Sequence, residues 1–406
     1  CTHSPLPVAS ALQNPRVTRW SEDFFEIPMP RTTINQAIEA AEHPNLLETT
    51  AQLEAAERAW LQSSVLGIDT EFVRERTYRA ELGLVQISDG RSAWLWDPLR
   101  FDSHEAIGKL LASPDIVKVL HSGSEDLEVL LHALEAVPAP LVDTQVACAM
   151  LGQPLQLSFQ GAAKWLFDVE IDKEHTRSNW LRRPLQPAQL HYAAMDVVLL
   201  PQMLQELQPR LEAAGRWTWL EEDIARMQRT SAEAVDVDRV YLRIGGNGRL
   251  DDSGLRILRA LARWREETAA ARNRARGFVI SDAGLLELAR LRPTSAAELR
   301  TVEHVHPRAL ARYEQDLLQW VAAAAADRSP IDRVEPLNDA QRRLLKQMRQ
   351  HVQARAKALD VDPALLASRR ELEKLLRAGD DRSAIPERFL GWRKAAITDE
   401  LLGIMG

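Results

Sequence analysis

Residues 65–72 read Val65-Leu66-Gly67-Ile68-Asp69-Thr70-Glu71-Phe72, an apolar run that ends on two acids one residue apart. Side chains two positions apart on a strand point to the same face. A strand here therefore carries Asp69 and Glu71 side by side at its end. Paired carboxylate oxygens suit hard divalent cations such as Mg²⁺ or Mn²⁺. A solvated strand end has the same appearance, so the motif needs support from the rest of the chain.

Working outward, strand-like and helix-like patterns alternate from residue 46 to about 229, the habit of a sheet covered by helices. Strands are expected over 65–71, 83–88, 93–97 and 116–121, and helices over 54–62, 104–112, 125–134, 144–151 and 187–211. Two closely spaced early strands followed by alternation imply a mixed α/β sheet with flanking helices. Residues 1–45 read as an N-terminal extension with one short helix over 33–42. After the Gly-rich turn Gly245-Gly246-Asn247-Gly248, read as a linker, the pattern becomes all-helical, with helices over 255–276 and 296–321. A run of five alanines and an Asp-Arg-Ser-Pro stretch then suggest a helix tail and a linker over 322–336. The expected modules are thus 1–45, 46–229, 245–325 and 336–406.

At 406 residues the chain exceeds what one hydrophobic core usually serves. No apolar run reaches the length of a membrane span, and Cys1 and Cys148 cannot build a disulfide framework or a cysteine metal site. The first thirty residues lack a secretory pattern, so the cytoplasm is the expected location, with no membrane partner and a monomeric state. The net charge of −7 is uneven: residues 251–406 hold 28 Lys plus Arg against 23 Asp plus Glu, a net of +5, which leaves −12 on residues 1–250. An acidic first half joined to mildly basic helical modules fits a metal site beside surfaces for a polyanion.

Two further motifs carry acids. His121-Ser122-Gly123-Ser124-Glu125-Asp126-Leu127-Glu128 follows an apolar strand, so a short turn leads into a helix that starts near Asp126. Ser124 is a plausible N-cap, and acids in a first turn also favour the helix dipole. Tyr192-Ala193-Ala194-Met195-Asp196 lies inside a helix, where residues four apart share a face, with two alanines on the sides that must pack closely. Each motif alone has a bland structural explanation. Together they supply four acids and a phenol, a set that two divalent ions about 4 Å apart could use for phosphodiester hydrolysis.

These motifs resemble those of the DEDD superfamily of 3′–5′ exonucleases, in the branch whose last motif carries tyrosine, and more narrowly the bacterial ribonuclease D family. The similarity extends through Asp69-Thr70-Glu71-Phe72-Val73-Arg74, Arg76-Thr77-Tyr78, Leu82-Gly83-Leu84-Val85-Gln86-Ile87 and Arg183-Pro184-Leu185. The resemblance implies a ribonuclease H-like exonuclease domain in which Asp69, Glu71, Asp126 and Asp196 hold two metal ions. It implies that Tyr192, aided by Glu71, orients the attacking water, and that Thr70, Phe72 and His121 contact substrate. One departure is Asn179-Trp180, where the family's usual pair has Asp before Trp; it bears on loop contacts.

In the helical half, Leu258, Leu261, Trp264-Arg265, Phe278-Val279-Ile280-Ser281-Asp282 and Leu285-Leu286 resemble an HRDC domain, and the last seventy residues resemble a second, divergent copy. Arg272, Arg274, Arg276 and Arg292 suit phosphate contact. The implied activity is removal of nucleotide 5′-monophosphates from the 3′ ends of small structured RNAs, tRNA precursors among them. The alternatives are a DNA exonuclease of the same chemistry and a non-catalytic nucleic-acid-binding scaffold. His304 and His306, with no cysteine nearby, do not make a zinc site, and Trp94, Trp96 and Trp165 read as packing residues.

Overall fold

The structure, a computed structural model, describes residues 32–171, 178–379 and 381–406; most of the expected N-terminal extension, residues 1–31, lies outside them. The first stretch runs α1 (Ile34–Glu42), β1 (Asn45–Leu47), α2 (Thr50–Trp60), β2 (Val65–Val73), β3 (Glu81–Ser88), β4 (Ala93–Trp96), α3 (His104–Ala112), β5 (Val117–Leu120), α4 (Ser124–Leu134), β6 (Leu141–Asp143), α5 (Thr144–Met150), α6 (Phe159–Phe167), α7 (Pro187–Val198), α8 (Leu200–Ala213) and α9 (Trp217–Ala232). Next come α10 (Asp252–Ala271), α11 (Arg276–Val279), α12 (Asp282–Leu291), α13 (Ala296–Leu299) and α14 (Pro307–Ala326). The chain ends with α15 (Asp339–Leu359), α16 (Pro363–Leu366), α17 (Arg369–Ala378) and α18 (Asp399–Met405).

The chain forms two compact units that do not follow sequence order. Among the described residues, one contains 32–73, 82–232 and 338–406; the other contains 74–81 and 233–337.

In the first unit the sheet has the order β1-β4-β3-β2-β5-β6. It is mixed: β1 is parallel to β4, β4 antiparallel to β3, and β2, β5 and β6 run parallel. The two edge strands, three residues each, are additions to the four expected from sequence. The expected long helix over 187–211 is two helices, α7 and α8. They break at Leu199 (φ −96°, ψ −7°), two residues before Pro201, whose ring cannot continue a helix interior. Trp94 and Trp96 are buried, as their apolar context predicts, and Trp165 is half-buried under the guanidinium of Arg210. Within the stretch read as an extension, α1 is amphipathic: Thr33 and Gln36 close a capping box, and Ala37 and Ala41 are fully buried. It packs against α7.

The C-terminal helices α15–α18 belong to this same unit. Arg393, 1% exposed, donates to both carboxylate oxygens of Asp223 on α9 at 2.6 and 2.7 Å, and to the carbonyl of Leu365. Trp392 stacks on Trp219 with centroids 4.2 Å apart and planes 9° from parallel.

The second unit is built on α10, whose apolar face (Leu255, Leu258, Leu261, Ala262) packs with Leu285, Leu288, Leu310 and Leu317. The expected helix over 296–321 is interrupted, since Pro307 opens α14 at a position where its missing N–H costs nothing. The Gly245–Gly248 turn is part of this unit's fold: Asn247 donates to the carbonyls of Tyr241 and Leu242, and Tyr241 and Ile244 sit in the core. The 327–333 stretch is tied down too, by Arg259 on Asp327 and by the hydroxyl of Tyr241 on the carbonyl of Asp332. Residues 74–81 join the unit through Tyr78, whose hydroxyl donates to Glu266 at 2.6 Å, and through Arg76, whose carbonyl accepts from Ala275 N–H.

Candidate active site

Strand β2 outruns its parallel neighbour. Its register with β5 pairs Val65 with Val117 and Gly67 with Val119, and β5 ends at Leu120. Asp69 and Glu71 therefore lie past the carboxyl end of the parallel pair, the position at which α/β sheets open a ligand crevice.

Helix α7 crosses that end closely. A Cβ on Gly67 would lie 2.6 Å from the carbonyl oxygen of Val197 and 2.9 Å from Cβ of Leu200, so this approach requires glycine. Ala193 and Ala194 are fully buried. As a result, one carboxylate oxygen each from Asp69, Glu71 and Asp196 lies within 4.8 Å of the other two.

Asp126 arrives from the β5 turn. Helix α4 begins at Ser124, with Gly123 rather than the expected Ser124 at the cap and no side-chain cap. The turn is instead held by Asp143 at the end of β6, 1% exposed, whose carboxylate accepts from the backbone N–H of Ser122 (3.2 Å), Gly123 (2.8 Å), Gln145 (2.8 Å) and Val146 (3.2 Å). Ser122 sits at φ 62°, and a Cβ on Gly123 would lie 2.6 Å from Leu120 Cδ2. On the inner side of this turn the hydroxyl of Thr70 donates to Oδ1 of Asp126.

Four acids so placed oppose one another's ionisation. Burial, then the charges of Asp126, Asp196 and Glu71, hold the Asp69 carboxyl well above the usual range. Glu71 is pushed up to about 9 by burial and then by Asp196 and Asp126, against a hydrogen bond from Trp180. Burial raises Asp196 to about 7, moderated by a hydrogen bond from Tyr192, and raises Asp126 to about 6, moderated by Thr70. The Tyr192 phenol is pushed up by burial and by the charges of Asp196 and Glu71, so it is a neutral donor. Clustered acid oxygens that are costly to ionise without a cation form a donor set that fits hard divalent metal ions.

The three residues expected to touch substrate divide. The Thr70 hydroxyl is spent on Asp126, and Phe72, two positions further along β2, is half-buried. Both ring nitrogens of His121 are engaged inside the domain, Nδ1 with the Thr144 hydroxyl at 2.8 Å and Nε2 with the Leu157 carbonyl at 2.9 Å, and the ring meets Phe159 edge-on.

Sequence reading missed the residues that support the cage. Asp143 carried a readable signal, an Asp followed by Thr144-Gln145 at a helix start. Trp180, 3% exposed, hydrogen-bonds Glu71 and lies beside Tyr192, with ring centroids 6.2 Å apart. Its loop is anchored by Arg183, which pairs with Asp97 (Nη2–Oδ1 2.8 Å) and donates to the carbonyls of Gly83 and Trp180, each at 2.7 Å. A Cβ on Gly83 would lie 2.7 Å from the Trp180 carbonyl oxygen. Asn179 accepts the N–H of Leu181 on its side-chain oxygen at 3.2 Å, a cap that an aspartate oxygen makes equally.

A mixed sheet with four acids and a tyrosine at the ends of its parallel strands, followed by helical modules, defines a 3′–5′ exonuclease of the DEDD type. The family described as 3′-5′ exonuclease matches residues 44–212, the HRDC domain matches 254–321, and the ribonuclease D C-terminal HRDC domain matches 340–401. The chain is 37% identical over 353 residues to ribonuclease D of Pseudomonas paraeruginosa, covering 86% of this chain and 94% of that one. It is 35% identical over 355 residues to ribonuclease D of a Shewanella species, covering 86% and 91%. The crystal structure of Escherichia coli RNase D, described as an exoribonuclease involved in structured RNA processing, superposes with a TM-score of 0.81 at 31% identity, over 89% of this chain and 98% of that one. The chain belongs to the ribonuclease D family of 3′–5′ exoribonucleases, which depend on divalent metal. Among the described residues no helix is long and apolar enough to cross a membrane.

Proposed function

We propose that this chain trims the 3′ ends of small structured RNAs, tRNA precursors among them, releasing nucleotide 5′-monophosphates by two-metal-ion hydrolysis. The observation that carries this reading is the convergence of Asp69, Glu71 and Asp196 within 4.8 Å, with Asp126 held beside them by Thr70. Two divalent ions, when bound, would acidify the attacking water and offset the charge that develops on the departing 3′ oxygen.

The chain's own groups do the rest. Asp69, Glu71, Asp126 and Asp196 provide the ligand oxygens, and the neutral Tyr192 hydroxyl orients a water beside Asp196 and Glu71. Glu71 supplies a carboxylate that can take a proton. Trp180 fixes the rotamer of Glu71 and walls the crevice near Tyr192. Phe72 is the residue on β2 available to meet the terminal base.

The sequence modules we propose are an N-terminal segment 1–45, whose helix α1 packs on the catalytic domain, the catalytic domain 46–229, and helical modules 245–325 and 336–406, the last packed with the catalytic domain, in a monomeric, cytoplasmic enzyme. An assay of nucleotide monophosphate release with Mg²⁺ or Mn²⁺, on matched RNA and DNA, tests the reading. RNA should be the better substrate and Asp69→Asn should be inactive. Preference for DNA, or full activity of Asp69→Asn, overturns it.

A further inference from the structure

The second unit presents an aromatic ring to solvent at the end of a basic loop. Phe278, on the one-turn helix α11, is 53% exposed although the same unit buries Val279 and Ile280 immediately after it. Leaving a phenylalanine outside a core forgoes the favourable transfer of a large apolar surface. Arg274 beside the ring, and the further basic groups Arg272, Arg276 and Arg312 of the same unit, show what the ring is for.

The loop from Arg272 to Phe278 contains three arginines and no acid. Arg276 is committed: it pairs with the buried Glu266 at 2.7 Å and lies over the Tyr78 ring. The other guanidiniums have no carboxylate partner among the described residues. Arg274 lies 5.8 Å from the Phe278 centroid, and exposed Arg272 and Arg312 lie 5.6 and 5.8 Å from the centroid of Tyr313, itself 3% exposed. Cation–π contact sets their direction without neutralising them. The loop itself is fixed, since Asn273 accepts the N–H of Arg79 and Ala275 donates to Arg76. A pinned aromatic face beside guanidiniums that lack acids is complementary to an unpaired nucleotide with its phosphates.

We propose that Phe278 is a base-stacking platform for an unpaired nucleotide of the RNA substrate, with Arg272, Arg274 and Arg312 taking the adjoining phosphates. This rests on RNA as the substrate class and adds the residue that distinguishes unpaired from duplex RNA. The loop also shares its unit with residues 74–81, the segment continuous with β2 and therefore with Asp69 and Glu71.

The test uses the full chain without metal, so that binding is read apart from cleavage. Fluorescence anisotropy compares a hairpin RNA bearing an unpaired 3′ tail with the same hairpin blunt-ended, and 2-aminopurine placed in the tail reports stacking. Phe278→Ala and Phe278→Leu should weaken the tailed RNA by about tenfold or more, abolish the 2-aminopurine quench and leave blunt RNA unchanged, while Phe278→Trp retains both signals. The double variant Arg272→Gln, Arg312→Gln should lower the salt dependence of log K by about 1 to 2 without removing the quench. Thermal transitions at the wild-type temperature exclude misfolding, and Phe278→Trp provides that control independently. Equal binding of tailed RNA by Phe278→Leu and wild type overturns the platform, as does equal weakening of blunt and tailed RNA. RNA binding with no release of nucleotides once Mg²⁺ or Mn²⁺ is added would instead overturn the exonuclease reading and leave the platform to be judged on the quench.

Discussion

The hydroxyl of Thr70 on β2 donates to Oδ1 of Asp126 on α4, so the strand bearing two of the acids fixes the rotamer of a third. Partners that orient a ligand carboxylate typically govern affinity for the metal by 10- to 100-fold, so Thr70→Val should weaken Mn²⁺ binding by about that range. Thr70→Ser keeps the donor and should bind nearly as wild type. Isothermal titration with Mn²⁺ measures both. Matching affinities for Val and wild type would assign the hydroxyl no role at the cage.

Metal uptake should release protons. Near pH 7 the metal-free site holds Glu71 protonated and Asp196 about half protonated, given values raised to about 9 and about 7. Ligation needs the carboxylate forms, so affinity rises with pH between about 6 and 9. Titrations in buffers of different ionisation enthalpy count the protons. The sign for stability is opposite: the folded state binds these protons when the unfolded chain no longer does. The contribution of these two acids to metal-free stability is therefore highest below the ordinary carboxylate range and falls as pH rises through about 7 and then about 9, and added divalent cation reverses the loss. A metal-free melting temperature that climbs from pH 6 to pH 9 would contradict the cage electrostatics.

Tyr192→Phe removes one hydroxyl and leaves the ring beside Trp180. Without the donor that moderates Asp196, water is no longer aimed, and kcat should fall by about 10²-fold or more with RNA affinity retained, the scale of a positioned proton-transfer group. Single-turnover kinetics separates the two quantities. A fall in binding with unchanged kcat would make Tyr192 a substrate contact instead.

How far the sequence carried this depends on range. Asp69 and Glu71 were legible because a period of two needs only local order, and Tyr192 with Asp196 because a spacing of four needs only a helix. Strands β1 and β6 were not, since three residues carry no periodicity, and β1 is recognised only by pairing Asn45 to Leu47 with Trp94 to Trp96. The break between α7 and α8 was readable in Pro201. The membership of 74–81 in the helical unit depends on Tyr78 meeting Glu266, 188 positions later, which no local pattern encodes. The partners of His121 were not legible either: its motif neighbours Asp126 in sequence, whereas its ring meets Thr144 and Leu157, 23 and 36 positions later.

Arg183 should be worth more to folding than its position in a loop suggests. It is 14% exposed, its partner Asp97 3%, and it closes on two backbone carbonyls. Arg183→Met leaves Asp97 as a buried unpaired charge, a loss of about 3–5 kcal/mol, and loosens the loop that holds Trp180 on Glu71. Urea denaturation gives the first effect, and kcat measured well below the unfolding transition gives the second. A variant of wild-type stability would mean that water replaces the guanidinium.

The C-terminal helices, read from sequence as an appended module, are structurally part of the catalytic unit. Asp223 of α9 is held low by Arg393, although burial alone would raise it, and this pair spans 170 positions of chain. Removing residues 338–406 would strip Trp219 of its stacked Trp392 and leave Asp223 buried with the more distant Arg226 at 3.6 Å. Arg393→Met, which keeps the packing volume and deletes the charge, isolates the ion pair and should cost about 3–5 kcal/mol. The double variant Asp223→Leu, Arg393→Met should recover much of that loss, because replacing a buried pair with apolar groups is commonly close to neutral. Chemical denaturation of Arg393→Met, Asp223→Leu and the double variant closes the cycle. If the double variant is as unstable as the sum of both single losses, the two residues act independently and the ion pair does not join the C-terminal helices to α9.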